Sequence, residues 1–384
     1  MTAVNDVTEE TLRALAGVRA PEETVVSLYL DLDPARFATA SARTSEIDSL
    51  LDSARRKIER GERSHGKLQA LRRAQDRAAA RLASIGSLAQ GARAVAIFVC
   101  EPLDLDRALR LPHPVASAVV ISDAPFITPL AETGPAGRVC VAAVDERFAR
   151  ILQGSAERLD ERVSFGDPVH GRHDQGGWSQ ANYQRSIRED AEAHLRRVAR
   201  ELHDLLRVAP HDRLLIACAA PLWPRVVSKL HPDVKTRLIE QRLSIDVSDA
   251  RLVDVEQAAA AALASEQRAH EDAVLAALRE RDPVGADART AVGLQAVLRA
   301  LVERRVESLL YDVGFDAPGV VCPRCGWIGI EGERCPVDTE QLHERENIVE
   351  ESVRAAVKQS AEVLPLRDRP ELGPLGRIAA TLRF

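Results

Sequence analysis

Two stretches of this chain hold residues whose types and spacing can do chemistry. The first is Gln175-Gly176-Gly177-Trp178-Ser179-Gln180-Ala181-Asn182-Tyr183-Gln184-Arg185. Adjacent glycines reach backbone conformations closed to other residues and let the chain approach a ligand closely. An Arg where a helix starts, with a Trp on the loop before it, suits RNA phosphates and unstacked bases. The free N–H groups of the first helical turn would meet the same phosphate as Arg185. Arg172 and His173 on the loop and Arg188 on the helix extend this candidate RNA-binding set. His170 and His173 read as phosphate or solvent contacts rather than general bases. A glycine pair by itself also fits a plain surface turn.

The second stretch is Cys322-Pro323-Arg324-Cys325-Gly326, followed by Cys335-Pro336-Val337-Asp338. Two thiolates at i and i+3, with a Gly just after, can wrap one metal ion. Asp338 stands where a second Cys-x-x-Cys would place its last thiol, and a carboxylate binds zinc at roughly 2.0 to 2.2 Å. His343 is the other candidate for the fourth position. A cysteine cluster in a chain without secretory features points to metal before disulfide. A structural zinc held by Cys322, Cys325, Cys335 and Asp338 is expected. No His-x-Glu pattern of a catalytic zinc lies nearby. Cys100, Cys140 and Cys218 sit singly in apolar runs and read as buried thiols.

These stretches need elements to hold them. Thr8-Glu9-Glu10-Thr11 can cap a short helix. Val26, Leu28, Leu30 and Leu32 alternate with Ser27, Tyr29 and Asp31, which predicts a strand. Ile47–Ile58 and Leu68–Leu82 carry helical spacing. The turn between them, Arg60 to Lys67, is basic, and Arg63 and Lys67 join the candidate RNA contacts. Ala94–Cys100 and Ala118–Ile121 read as buried strands. Arg138–Val144 and Phe148–Leu152 predict a strand pair, and a polar loop is expected from Ser164 to Gln184. Ile187, Ala191, Leu195, Val198, Leu202 and Leu206 then mark a helix face, with Arg188, Arg196, Arg197 and Arg200 off that stripe. Leu214–Ala219 predicts a strand and Val255–Arg279 an Ala-rich helix. A last unit begins near Asp282, with a helix opened by Val292-Gly293-Leu294 and running through Val297, Leu301 and Val302, a strand at Val306–Tyr311 and a helix around Ile348–Val357. Alternating strands and helices imply an α/β layer.

Composition bounds the reading. With 384 residues the chain can form two or three domains. It is 45% hydrophobic and 29% charged, as globular proteins are. A net charge of −6 argues against indiscriminate coating of nucleic acid but not against local basic patches. No apolar run reaches the roughly 18 to 20 residues of a membrane span. Thr2-Ala3-Val4-Asn5-Asp6 lacks a basic n-region, so no signal peptide is expected and the expected compartment is the cytoplasm.

The glycine stretch resembles the catalytic loop of archaeal and eukaryotic class I peptide-chain release factors. That loop reads Gly-Gly-Gln-Ser, then an aromatic residue and an Arg. Gly176, Gly177, Ser179, Tyr183 and Arg185 match it without gaps, and Trp178 takes the place of the Gln. Ala291-Val292-Gly293-Leu294, Val306-Glu307-Ser308-Leu309-Leu310 and the ending Gly376-Arg377-Ile378-Ala379-Ala380-Thr381-Leu382-Arg383-Phe384 resemble the last domain of the same family. The resemblance implies an α/β and α+β protein of three domains, at 1–132, 133–275 and 276–384. The middle one would be ribonuclease-H-like. The last would be a ribosomal-protein-like α/β domain with a zinc ribbon inserted at about 320–343. It also makes Gly176, Gly177, Trp178, Ser179 and Gln180 the candidate catalytic group. The ribosome, its RNA and peptidyl-tRNA become the implied partners, with a translational GTPase as a further one.

In that family the Gln places water and an oxyanion donor for ester hydrolysis. Trp178 keeps a backbone N–H, but its indole is a donor only. Gln180 is the nearby amide that could assume the polar role. The stop-codon readers' Asn-Ile-Lys-Ser and Tyr-x-Cys-x-x-x-Phe motifs are absent, so codon reading is not expected. The resemblance implies a factor that enters the ribosomal A site and releases peptide from stalled ribosomes. The alternative is a non-catalytic hibernation or recycling factor, as in the Pelota branch, which also lacks the Gln.

Overall fold

Apolar alternation in this chain serves two cores at once, because most sheets carry packed elements on both faces. The computed structural model describes residues 5–20, 24–60, 64–84, 92–134, 137–155, 158–166, 180–245, 247, 250–280 and 289–384. Among them it shows a mixed α/β structure with four sheets. Two compact units divide the chain: Met1–Ala136 with His270–Phe384, and Gly137–Ala269.

The N-terminal elements are β1 (Asn5–Asp6), α1 (Glu9–Gly17), β2 (Val25–Asp31), α2 (Ala40–Glu59), α3 (His65–Ala83), β3 (Ala94–Cys100), β4 (Leu105–Leu111), β5 (Ala118–Ser122) and α4 (Thr128–Thr133). Thr8 caps α1 by accepting from the Thr11 amide at 3.1 Å. The strands form one sheet in the order β1-β4-β3-β2-β5. All seven residues of β2 are buried. Val26, Leu28 and Leu30 face the core under α2 and α3. Tyr29 joins a different core on the opposite face, where its hydroxyl donates to the Phe126 carbonyl. Periodicity does not identify β4, whose apolar residues are interrupted by Asp106, Arg107 and Arg110. Pro125 and Pro129 suggest only an exit from the sheet, whereas Pro129 starts α4.

The unit Gly137–Ala269 contains β6 (Val139–Val144), β7 (Phe148–Gly154), β8 (Leu159–Gly166), α5 (Gln180–Val208), β9 (Arg213–Ala217), α6 (Trp223–Lys229), α7 (Pro232–Lys235) and most of α8 (Leu252–Glu280). The strand order is β8-β7-β6-β9, with β9 parallel to β6 and the other pairs antiparallel. Cys140, Ala142 and Val144 pack toward α5 and α6. Val139, Val141 and Ala143 pack toward Val255, Ala259 and Ala262 of α8. Of the loop expected from Ser164 to Gln184, Ser164–Gly166 instead belong to β8, a largely exposed strand, and Gln180–Gln184 to α5. Residues 167–179 lie outside the described residues.

The C-terminal elements are β10 (Thr290–Val292), α9 (Leu294–Val302), β11 (Val306–Asp312), β12 (Gly319–Val321), β13 (Ile328–Gly329), β14 (His343–Arg345), α10 (Ile348–Lys358), β15 (Glu362–Leu366) and β16 (Ile378–Leu382). They make a four-stranded sheet, β10-β16-β11-β15, and a three-stranded one, β13-β12-β14. Gly293 sits at φ 79° and turns β10 into α9.

The N-terminal and C-terminal segments share one apolar core, which joins Leu12, Leu15, Tyr29 and Phe98 to Val297, Leu301, Ile348 and Val353. A charge network of buried and half-buried side chains crosses the same boundary. Arg19 pairs with Asp123 at 3.1 Å and with Glu351 at 2.5 Å. Arg345 reaches Asp123 at 2.7 Å, and Arg354 reaches Glu350 at 3.0 Å. Arg354 also donates to the carbonyls of Leu15, Ala16 and Pro125, while Glu350 accepts from the amides of Ile127 and Thr128.

Candidate RNA interface and metal cluster

Helix α5 positions the candidate RNA contacts. Ala191, Leu195, Val198, Leu202 and Leu206 are buried at i+3/i+4 steps and hold it against the sheet. His194 belongs to this buried face, tilted against Phe165 with centroids 5.4 Å apart. The Arg197 guanidinium lies 4.0 Å from the centre of the same ring. Arg185 and Arg188 are exposed. Gln180 is the first residue of the helix. Gly176, Gly177, Trp178, Ser179, Arg172, His170 and His173 lie outside the described residues, as does Arg63. Lys67 stands in the first turn of α3, where the Ser64 hydroxyl accepts from its amide at 3.4 Å.

The metal candidates come together. One ligand atom from each of Cys322, Cys325, Cys335 and Asp338 lies within 4.8 Å of the others. Cys322 Sγ is 3.4 Å from Asp338 Oδ1, and Cys325 Sγ is 3.5 Å from Cys335 Sγ. Strand β12 delivers Cys322, and Gly326, at φ 78°, turns the chain back so that its amide donates to the Cys322 carbonyl. The amides of Cys325 and Val337 donate to Cys322 Sγ and Cys335 Sγ, both at 3.4 Å. Desolvation, ahead of hydrogen bonds with Cys335, Cys322 and Asp338, pushes the Cys325 thiol up to about 12. The thiol of Cys335 holds the Asp338 carboxyl below its ordinary range. Three sulfurs and one carboxylate oxygen suit a tetrahedral thiophilic cation. His343, the alternative ligand, is exposed on β14 and paired with Val321, outside the cluster.

Two groupings have no signature in the sequence. His203 of α5 and His231 stack at 4.1 Å, with Asp233 beside them. They lie on different elements, so no spacing rule finds them. His211 is buried, neither ring nitrogen is bonded among the described residues, and desolvation lowers its pKa to about 4. Cys100, Cys140 and Cys218 are buried as expected, and desolvation pushes Cys140 up to about 12 and Cys218 up to about 11.

No curated protein matches the sequence. Residues 125–281 match the model of Bacterial archaeo-eukaryotic release factor family 10. Among solved structures, the archaeal translation termination factor aRF1 is similar at 17% identity over 99% of each chain, with a TM-score of 0.27. Archaeoglobus fulgidus Pelota is 13% identical over 100% of this chain and 94% of its own, at 0.34. Dom34 of S. cerevisiae, a translation termination-like factor involved in RNA quality control pathways, is 12% identical over 76% and 80%, at 0.37. Scores this low leave the family match over residues 125–281 to carry the likeness.

Proposed function

We propose that this chain, a bacterial archaeo-eukaryotic release-factor-like protein over residues 125–281, enters the ribosomal A site and acts on stalled ribosomes. The family match carries this reading, because the matched segment includes both the glycine stretch and helix α5. The reaction would be hydrolysis of the peptidyl-tRNA ester without stop-codon reading. Gly176 and Gly177 would bring the backbone close to the ester, and an N–H of the Trp178–Ser179 segment would face the developing oxyanion. Gln180 would supply the amide. Arg172, His173, Arg185, Arg188, Arg63 and Lys67 would contact RNA. The three-domain division at 1–132, 133–275 and 276–384, with a ribonuclease-H-like middle domain, belongs to the same proposal. So do a translational GTPase partner and a cytoplasmic site of action. Among the described residues no helix is long and apolar enough to cross a membrane.

A zinc ribbon at about 320–343 completes the reading. Cys322, Cys325, Cys335 and Asp338 would hold the ion, which would fix the loop between β12 and β14 without taking part in the reaction. Around the cysteines only a small cluster is buried, Val320, Cys322, Cys335 and Leu342, while Val321 and Ile328 face the larger shared core. So small a core is a poor support by itself, and a structural ion would supply the missing stability.

Trp178 favours a second reading, an occupant of the A site that does not hydrolyse. Its indole cannot accept a hydrogen bond, but it can stack on a base. Single-turnover release of labelled peptide from ribosomes carrying peptidyl-tRNA and an empty A site decides between the two. Release above background supports the hydrolase. Co-sedimentation without release supports the occupant. Neither binding nor release would end both.

A further inference from the structure

Arg185, Arg188, Arg196, Arg200 and Arg207 are all exposed. At 3.6 residues per turn they fall within a sector of about 120° along one flank of α5, and they span about 33 Å of helix. Among the described residues none of the five makes an ion pair or a side-chain hydrogen bond. Carboxylates stand at the right spacing to pair with them, yet they do not. Asp204, four residues after Arg200, leaves it free. Glu192, four before Arg196, is taken instead by Lys229 at 2.8 Å and Arg225 at 3.2 Å. Those pairings neutralise the acid that would interrupt the face, and Arg225 is shared with Glu146 at 2.7 Å. Glu189 is the exposed carboxylate left within the sector. Like charges at i+3 and i+4, as in Arg185–Arg188 and Arg196–Arg200, destabilise an isolated helix. A row of five guanidinium groups that pair with nothing among the described residues therefore has no account in the stability of the unit.

We propose that the Arg185–Arg207 face of α5 is a track for the sugar-phosphate backbone of RNA, extending well beyond the two arginines next to the glycine stretch. The guanidinium fork matches phosphate oxygens. Arg196 and Arg200 are about 6 Å apart along the axis, a step comparable to that between neighbouring phosphates. Among the described residues the sector carries no aromatic side chain beyond His203, so it reads backbone rather than bases. This inference deepens the A-site reading and rests on it for the identity of the RNA, which would be ribosomal.

The test is binding of the full chain to a short RNA hairpin and, separately, to vacant ribosomes, across a series of salt concentrations. The triple variant Arg196→Gln, Arg200→Gln, Arg207→Gln is expected to bind the hairpin at least tenfold more weakly at about 0.1 M salt. Its slope of log affinity against log salt should fall by about 2 to 3, roughly 0.9 for each phosphate no longer neutralised. The matching triple Lys variant keeps the charge and should restore most of the slope, which separates a missing charge from a damaged helix. Unchanged affinity and slope in the Gln variant would overturn the proposal. So would competition by polyglutamate as effective as that by RNA, which would make the track a docking face for an acidic protein. If the native chain binds ribosomes and the Gln variant does so equally, the track fails and the A-site reading stands. If the native chain binds the hairpin through these arginines but ignores ribosomes, the track stands and the A-site reading fails.

Discussion

Trp178 offers a flat apolar ring and an N–H where an amide would bring a carbonyl oxygen, which suits the anchor of the second proposed reading. Stacking on one base is worth roughly 1 to 3 kcal/mol. Trp178→Ala should therefore weaken ribosome binding by about one to two orders of magnitude in a sedimentation titration, with no change in any release rate. A loss of release at unchanged affinity would assign it to the reaction instead. The converse applies to Gln180→Ala, which should abolish release and spare binding if the amide acts from the first turn of α5. His211 has a separate consequence. Its folded pKa of about 4 lies below the ordinary 6.5, mainly through desolvation. Between those values the unfolded chain holds a proton that the folded chain lacks. Its contribution to stability is thus whole above pH 6.5 and is lost as pH falls toward 4, by at most about 3 kcal/mol. Urea unfolding of His211→Phe should show a shallower fall in stability over that window, and parallel pH profiles would exclude the residue.

At the scale of the element, the zinc ribbon proposed between β12 and β14 rests on four candidate ligands that its own sequence spells out. The protein is expected to carry a single zinc ion, measurable by mass spectrometry of the native chain. Cys325→Ser should release it, Asp338→Ala should weaken its retention against a chelator, and His343→Ala should leave it unchanged. Retention in Cys325→Ser would remove the cluster as the site. Removing the ion should expose the loop to protease while β10, β11, β15 and β16 stay protected, because their core contains none of the four ligands. Helix α5 shows how far an element was legible. Its apolar stripe gave the buried face, and its arginines were visibly off that stripe. That Glu192 turns away from Arg196 to Lys229 and Arg225 depends on α6 packing alongside.

For the whole molecule, two units with their own cores should unfold in separable steps. Arg354→Ala would strip partners from Glu350, Glu351 and three carbonyls at the boundary between the N-terminal and C-terminal segments. Breaking a buried pair in this way costs about 3 to 5 kcal/mol. Calorimetry should show the transition of the unit Met1–Ala136 with His270–Phe384 moving down while the other holds; a shift of both would refute separate units. The sequence by itself determined the local facts: helix caps, apolar periodicities, the cysteine spacing and the glycine stretch with its release-factor likeness. Each of these is written within one or two turns of helix or one short loop, where chain connectivity sets the distances. It could not determine that β2 alternates between two cores rather than between core and water, since both readings share one pattern. Nor could it pair Arg19 with Glu351, 332 positions away, or bring His203 onto His231. Those contacts follow from which faces the sheets bury against each other, and burial is a property of the packed whole.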